Sequence, residues 1–200
     1  MPVWGVLALQ GDFAAHAAAL RAGGVDVREV RRCRELGGLR GLVLPGGEST
    51  TLLNLMGDEP WFVALRRFHH EGGVLFGTCA GAILLARKVL PSQPSLGLLD
   101  AVIGRNAYGR QVDSFETRLT APALGGPIGA VFIRAPRFRS LGPGVEVLAR
   151  RDDEPVLVRQ GRVLAATFHT ELASPSPLHR YVIEMGAHAR DDEALARSAS

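Results

Sequence analysis

The sequence has only two cysteines, one lysine and no hydrophobic run near the ~20 residues that a membrane-spanning helix needs. Cys33 and Cys79 show neither CxxC nor zinc-finger spacing, which excludes a disulfide framework and a structural zinc site. No basic segment precedes the apolar N-terminus and Asp12 interrupts it, so we expect no signal peptide. A reduced, cytoplasmic protein without a membrane partner is the expectation.

The positive charge is small and spread along the chain. There are 23 basic and 20 acidic residues, a formal net charge of +3, and every basic residue except Lys88 is an arginine. The one tight cluster, Arg31, Arg32 and Arg34, has no interleaved aromatic residues, so we interpret it as a solvated face or a small-anion contact and expect no nucleic-acid partner. Hydrophobic residues make up 46% and charged residues 22%, which excludes disorder as the main state.

Strand-like and helix-like segments alternate in the first part of the chain. Apolar runs typical of buried parallel strands occupy residues 3–9, 25–30, 41–44 and 74–76. Between and after them, helices are predicted at 13–22 with Asp12 as N-cap, from Ser49 as N-cap to 56, from Pro60 to 71, and at 82–89. This alternation predicts an α/β fold with a mostly parallel sheet.

The second half of the sequence has a different pattern, with short runs separated by glycine and proline. Six strands are predicted, at 98–103, 112–119, 129–133, 145–149, 156–159 and 163–168. These runs indicate an additional antiparallel portion. A closing helix is predicted at 178–188.

The segment Gly77-Thr78-Cys79-Ala80-Gly81 lies between an apolar strand and an apolar helix. This context is typical of a nucleophile elbow, here with cysteine in place of serine. The helix N-terminus would favour the thiolate, and the Ala80 N–H would face a developing oxyanion. The alternative is a buried structural cysteine in a glycine-rich turn. Cys33 lacks this context and is interpreted as a bystander thiol.

A cysteine nucleophile needs a base, and His169 is the best-placed histidine because it follows the run 163–168 at the same sheet edge. Glu171 is two residues further on, and in an extended segment it points to the same side, where it would fix the imidazole tautomer. Cys79, His169 and Glu171 are therefore a candidate triad, the alternative being two polar residues in an ordinary loop. The remaining histidines lie on predicted helices, on faces expected to be at least partly exposed: His16, His69, His70, His179 and His188.

The segment Pro45-Gly46-Gly47-Glu48-Ser49 follows a strand and opens a helix, so it faces the carboxyl edge of the sheet, where α/β folds bind ligands. A glycine here can donate a second N–H to an oxyanion. A phosphate cradle is disfavoured because no lysine follows, as it does in a Walker loop. An ordinary tight turn remains the alternative.

The elbow together with His169-Thr170-Glu171 resembles the class I, or triad, glutamine amidotransferases. Further stretches are similar to the glutaminase subunits of pyridoxal 5′-phosphate synthases: residues 9–12, 45–51, 105–116 and 131–136. An elbow occurs in many hydrolases, whereas 105–116 and 133–136 together are specific to this family. The resemblance extends over residues 3–186.

This resemblance implies a flavodoxin-like, three-layer α/β/α sandwich as a single glutamine amidotransferase domain over residues 1–189, with a polar C-terminal tail at 190–200. It implies that Cys79 is the nucleophile and that His169 and Glu171 are its partners. Glutamine-binding roles are implied for Gly46, Gly47, Glu48, Arg105, Ile133 and Arg134, and an oxyanion hole for Gly47 and Ala80. The family usually has proline at the position of Thr170, and threonine is compatible with the extended backbone required there.

The sequence thus predicts a glutaminase that hydrolyses L-glutamine to L-glutamate and ammonia without a metal or organic cofactor. By resemblance, the ammonia passes to a separate synthase subunit of a hetero-oligomer that makes pyridoxal 5′-phosphate (vitamin B6). Two alternatives stay open: a cysteine-dependent peptidase or redox protein of the same architecture, and a catalytically silent partner of a synthase. By position, Gln10 and His16 are the candidate contacts with the partner.

Overall fold

The computed structural model describes residues 1–105, 114–173 and 177–198, the last part from residue 188 onward as backbone only. Most of the family-specific stretch 105–116 and the start of the strand predicted at 112–119 lie outside the described residues. In chain order the helices and strands are β1 (Val3–Leu7), α1 (Phe13–Ala22), β2 (Asp26–Val30), β3 (Gly41–Leu44), α2 (Ser49–Met56), α3 (Trp61–His70), β4 (Val74–Thr78), α4 (Ala80–Leu85), β5 (Ala86–Leu90), β6 (Leu99–Gly104), β7 (Phe115–Ala121), β8 (Gly126–Phe132), β9 (Arg137–Leu141), β10 (Glu146–Arg151), β11 (Glu154–Gln160), β12 (Val163–Ala166) and α5 (Pro177–Ser198).

A seven-stranded sheet in the order β2-β1-β3-β4-β12-β11-β10 forms the centre of the molecule. The first five strands are parallel, and β11 and β10 extend the sheet in the antiparallel direction. The order of the parallel strands is that of flavodoxin-like folds. The described residues also form a three-stranded sheet, β5-β6-β9, and a β7-β8 hairpin. The predicted mixed α/β class is confirmed.

Alternate side chains of the central strands enter two different cores. On β3, Leu42 and Leu44 pack with residues of α2, α3 and α4, whereas Val43 packs with residues of α1 and α5. Both faces of a parallel sheet are covered in this way because successive side chains of a strand point to opposite sides. The result is the three-layer α/β/α arrangement, with buried Trp61 in one core and buried Trp4 in the other.

The register of three neighbouring strands determines where the functional loops emerge. Leu44 at the end of β3 is opposite Gly77, and Ala166 at the end of β12 is opposite Thr78. Because these strands are parallel and in step, the segments that follow them leave the same edge of the sheet. The glycine-rich loop 45–48, Cys79 and the segment 167–171 are thereby neighbours.

Two strands differ from the prediction. The helix expected at 82–89 is instead the short helix α4 followed directly by strand β5, in which Arg87 and Lys88 are exposed while Ala86 and Val89 are buried. The hydrophobic spacing of this run does not distinguish a helix from a strand, and residues 86–90 form a strand because they pair with β6. Strand β9 was not expected because it is polar, and pairing with β6 defines it.

One predicted helix cap, Ser49, is wrong, and the other, Asp12, has the predicted position. Ser49 is the first residue of α2, and the Glu48 carboxylate caps the helix by accepting from the Thr50 and Thr51 N–H groups. Asp12 occupies the N-cap position of α1, but its side chain makes no capping hydrogen bond.

The closing helix α5 extends to Ser198, beyond the predicted end at residue 188. The division into one domain at 1–189 and a polar tail at 190–200 stays a prediction. Within the described parts of the chain, no helix combines the length and apolar character needed to cross a membrane.

The turn between β4 and α4 provides a test of this packing. A Cβ on Gly81 would lie 1.9 Å from the Leu44 carbonyl oxygen, a backbone atom that cannot move aside. We expect Gly81→Ala to lower the free energy of unfolding by about 3 kcal/mol. Gly37→Ala is the matched control, because its φ is −60° and a Cβ there would contact nothing within 4 Å. Urea unfolding should show stability unchanged or raised by up to about 1 kcal/mol in the control, and equal losses in both variants would contradict the packing argument.

Candidate active site

Cys79 occupies a strained backbone position between β4 and α4, with φ 47° and ψ −103°. A positive φ is rare for a residue other than glycine and costs of order 1–3 kcal/mol, so the surroundings must impose it. The Cys79 N–H donates to the Ala166 carbonyl at 2.9 Å, and its carbonyl accepts from the Ile83 N–H at 3.1 Å. The predicted elbow geometry is therefore present, with the sulfur at the carboxyl edge of the sheet.

His169 is attached to the neighbouring hairpin rather than to the central sheet alone. Its N–H donates to the Val131 carbonyl at 2.8 Å and its carbonyl accepts from the Val131 N–H at 3.0 Å. Nδ1 of His169 lies 2.7 Å from Oε1 of Glu171, so the predicted i, i+2 pair does meet. Thr170 between them is buried.

The protonation of His169 follows from its two partners. Burial lowers the pKa of this imidazole, but hydrogen bonds to the Cys79 sulfur and the Glu171 carboxylate, with their negative charge, outweigh it and raise the pKa to about 10. At neutral pH His169 is therefore a cation. The stability contributed by this charge is fully present below the unfolded pKa near 6.5, and it is lost as the pH rises through about 10.

The glycine-rich loop lies directly against this imidazole. A Cβ on Gly46 would be 2.3 Å from His169 Cε1, so only glycine lets the loop approach so closely. Gly47 has φ +123°, and the Gln10 side chain beside it donates from Nε2 to the Glu48 carbonyl at 3.0 Å. The Glu48 carboxylate is held by Thr50 and Thr51, and these hydrogen bonds lower its pKa to about 2.

A cavity of about 190 Å³ opens between the loop, the elbow and His169. The predicted site residues Gly47, Glu48, Cys79, Arg105, Ile133, Arg134 and His169 line it, together with Ser49, Ile83 and Pro136, which sequence reasoning missed. Of the remaining predicted residues, Gly46 lies behind His169, Ala80 follows Cys79 as the first residue of α4, and Glu171 is buried behind His169.

Arg105 brings a cation to this cavity from the end of β6. Its N–H donates to the Leu90 carbonyl at 2.7 Å, which ties it to β5. Nη1 donates to Ser49 Oγ at 3.2 Å and to the Gln93 side-chain oxygen, whereas Nε is buried without a hydrogen-bond partner among the described residues. A guanidinium held in this way offers donors to a carboxylate in the cavity.

His16 of α1 and His179 of α5 contradict the expectation of exposed faces. His16 is 0% and His179 is 1% exposed, so His16 is wrong as a surface contact for a partner. His16 Nε2 lies 3.3 Å from Glu171 Oε2. Helical spacing on an alanine-rich helix could not reveal this contact, because it depends on how α1 packs on the sheet.

The second cysteine has a different environment from Cys79. Burial and the neighbouring Glu59 carboxylate raise the pKa of the Cys33 thiol to about 11, in spite of the flanking arginines. Cys33 is therefore an uncharged thiol at neutral pH.

In the part of the chain that the structure describes, one cluster of side chains has ligand atoms close enough to hold a metal ion. Ligand atoms of Asp12, His169 and Glu171 all lie within 4.8 Å of one another. His169 and Glu171 already satisfy each other through their hydrogen bond, and Asp12 is exposed. The arrangement brings the carboxyl group of Asp12 near the imidazole.

The fold defines an α/β enzyme of the class I glutamine amidotransferase fold, with Cys79 at its elbow. Residues 6–188 match the model of the SNO glutamine amidotransferase family. The chain is 57% identical over 186 residues to the pyridoxal 5′-phosphate synthase subunit PdxT of Thermus thermophilus, covering 92% of this chain and 97% of that protein. It is 53% identical over 182 residues to the subunit of the same name from Deinococcus radiodurans, covering 88% and 93%.

Structural comparison agrees with these matches. A crystal structure described as a glutamine amidotransferase superimposes with a TM-score of 0.87 at 53% sequence identity, covering 92% of this chain and 98% of that one. The chain belongs to the SNO glutamine amidotransferase family.

The charge on His169 gives a prediction that does not depend on substrate. Cys79→Ala removes the sulfur that raises the pKa of His169 while leaving the burial that lowers it, so the imidazole should titrate at a clearly lower pH. NMR titration of labelled histidine checks this. Cys33→Ala is the control and should leave the His169 titration unchanged, and an unaltered titration in Cys79→Ala would refute the hydrogen bond to sulfur.

Proposed function

We propose that this chain hydrolyses L-glutamine at Cys79 and supplies the ammonia to a synthase subunit that makes pyridoxal 5′-phosphate. The observation that carries the proposal is the cavity lined by Cys79, the cationic His169 and Gly47 of the glycine loop. Membership of a glutamine amidotransferase family supports the reaction class. The names of the relatives support the pathway and the partner.

The reaction starts from the ion pair at Cys79. The thiolate attacks the side-chain amide carbon of glutamine, and its electron pair forms the C–S bond while the carbonyl oxygen becomes an oxyanion. The Ala80 N–H is free for this oxygen because the first N–H groups of a helix have no acceptor within it. A glycine N–H of the 46–47 loop is the second donor.

His169 moves the protons. As an imidazolium it protonates the amide nitrogen, so that the C–N bond breaks and ammonia leaves a thioester on Cys79. The neutral imidazole then takes a proton from water, which attacks the thioester and releases L-glutamate and the thiolate. Glu171 keeps the imidazole in the tautomer with the proton on Nδ1 and stabilises its positive charge.

Arg105 and the Ile133-Arg134 segment hold the substrate in this scheme. The Arg105 guanidinium faces the cavity, and its buried Nε, which has no hydrogen-bond partner among the described residues, fits the α-carboxylate of glutamine. Ile133 and Arg134 come directly after β8, and Val131 of β8 pairs with His169, so the substrate contacts and the base are tied to the same strand.

The α4 helix is a minor electrostatic contributor in this scheme. It has six residues, and a helix dipole acts mainly within the first turn. The His169 cation next to the sulfur is the larger charge, so it does most to favour the thiolate. Two free thiols fit function in the reducing cytoplasm.

The coupling to the synthase is proposed to act through the glycine loop. Gly47 has a positive φ and the Gln10 amide next to it is half-buried, bonded to the Glu48 carbonyl. A partner that contacts Gln10 could change the orientation of a loop peptide and so complete the oxyanion hole, as a population shift.

The nucleophile assignment predicts opposite outcomes for the two cysteines. Cys79→Ala should reduce glutamine hydrolysis to background because no covalent thioester can form. Cys33→Ala should leave hydrolysis near the wild-type rate, since this thiol is uncharged and does not line the cavity. Glutamate release measured in the presence of the synthase subunit checks both, and equal losses would refute the assignment.

The coupling predicts that the isolated chain hydrolyses glutamine slowly and that the synthase subunit raises the rate. Ammonium salts should support the synthase reaction without this chain or with its Cys79→Ala variant. Glutamate release and pyridoxal 5′-phosphate formation, measured with and without the partner, are the readouts. Full activity of the isolated chain, unchanged by the partner, would refute coupling while leaving the triad assignment intact.

A further inference from the structure

Two histidines that the proposed triad does not use are buried directly behind it. His16 of α1 and His179 of α5 face each other, with 2.8 Å between His16 Nδ1 and His179 Nε2. The other nitrogen of His16, Nε2, lies 3.3 Å from Glu171 Oε2, and both side chains are fully buried. His169 binds the opposite oxygen, Oε1. One carboxylate is therefore placed between two imidazoles.

The oxygen that faces His16 is otherwise unsatisfied. Glu171 Oε2 is buried and has no hydrogen-bond partner among the described residues, so its contact with His16 Nε2 is electrostatic rather than a well-aligned hydrogen bond. A carboxylate in a dry interior needs donors or positive partial charge at both oxygens. The position of the proton on His16 therefore decides whether this contact is attractive.

The contacts of His16 distinguish its two tautomers. With the proton on Nε2, a positive N–H faces Glu171 Oε2 and Thr78 Oγ1, which lies at 3.2 Å, and Nδ1 accepts from His179 Nε2–H. With the proton on Nδ1, a lone pair would face the carboxylate oxygen at 3.3 Å, a repulsive arrangement at low dielectric. The environment favours the Nε2–H tautomer.

Charge does not interfere with this assignment. Burial, followed by the neighbouring His179 and His169, lowers the pKa of His16 well below its usual value. Burial lowers the pKa of His179 to about 4. Both imidazoles are therefore neutral near pH 7. Among the described residues, the ionisable groups facing Glu171 and His169 include His16, Cys79 and the exposed Asp12, whose ligand atom lies within 4.8 Å of theirs.

We propose that His16 is a positioning residue of the glutaminase reaction: its Nε2–H holds Glu171 so that Oε1 keeps Nδ1–H of His169, and His179 selects this tautomer. The catalytic part of this inference rests on the proposed function. The arrangement extends the three residues into a chain of five, from His179 on α5 to Cys79 at the elbow.

The unmodified protein provides the first test. Nitrogen-15 NMR of histidine distinguishes protonation at Nε2 from protonation at Nδ1, and His16 should carry its proton on Nε2. A proton on Nδ1 would overturn the proposal. This measurement requires no substrate and no variant to fold, so its result is independent of whether glutamine is hydrolysed.

Two substitutions provide the functional test. His16→Leu keeps an apolar volume but removes the donor, and kcat for glutamine should fall about 10–100-fold with little change in KM. The His169 imidazole should also titrate at lower pH, since Glu171 is held less firmly. His16→Gln places an amide donor near the Nε2 position and should restore most of kcat and of the His169 titration.

Matched substitutions at an exposed histidine control for general effects. His70 ends α3 on the surface, and His70→Leu should leave both kcat and the His169 titration unchanged. If His16→Leu keeps wild-type kcat and titration, or if the Leu and Gln variants lose both equally, the proposal is wrong. Absence of hydrolysis in the unmodified chain with its synthase would instead refute the proposed function, because the tautomer and titration measurements stand without substrate.

Discussion

Cys79 has a backbone conformation that a residue other than glycine rarely adopts, and the site is built around it. The turn is held because β3 and α4 touch at Gly81, where a side chain would collide with the Leu44 carbonyl. The same contact brings the end of β3, and hence the glycine loop, next to the sulfur. The close packing of two backbones thus places nucleophile and oxyanion loop together.

The charge of each histidine in the site depends on how deeply it is buried and on whether a group that favours its charged form lies next to it. His169 loses water on folding, but the sulfur and Glu171 compensate its charge, so it stays protonated. His16 and His179 also lose water, and burial lowers their pKa values so that both stay neutral near pH 7. The neighbouring imidazoles thus differ in charge. In the proposed reaction, the cationic His169 transfers protons while the neutral His16 and His179 orient the Glu171 carboxylate.

Residue patterns were sufficient where chemistry and spacing are local. The predicted sheet edge holds Cys79 with its flanking glycines, the glycine-rich loop, and His169 with Glu171 two residues later. Sequence patterns failed to predict local structure where a residue distant in the sequence, or an unexpected side-chain contact, determines it. The apolar run after Cys79 becomes a strand because β6 pairs with it, and the Glu48 side chain replaces Ser49 as the cap because it reaches two threonine N–H groups.

The sequence by itself determined the α/β class, the order of the parallel strands along the chain, and the motifs that make up the site, because these depend on short-range periodicity and backbone preference. Only the tertiary structure decided which polar residues are buried together. His16 and His179 stand 163 positions apart, on helices whose composition indicates no function. Their contact with Glu171 exists because α1 and α5 pack on the same face of the sheet, and burial there changes both their charge and their role.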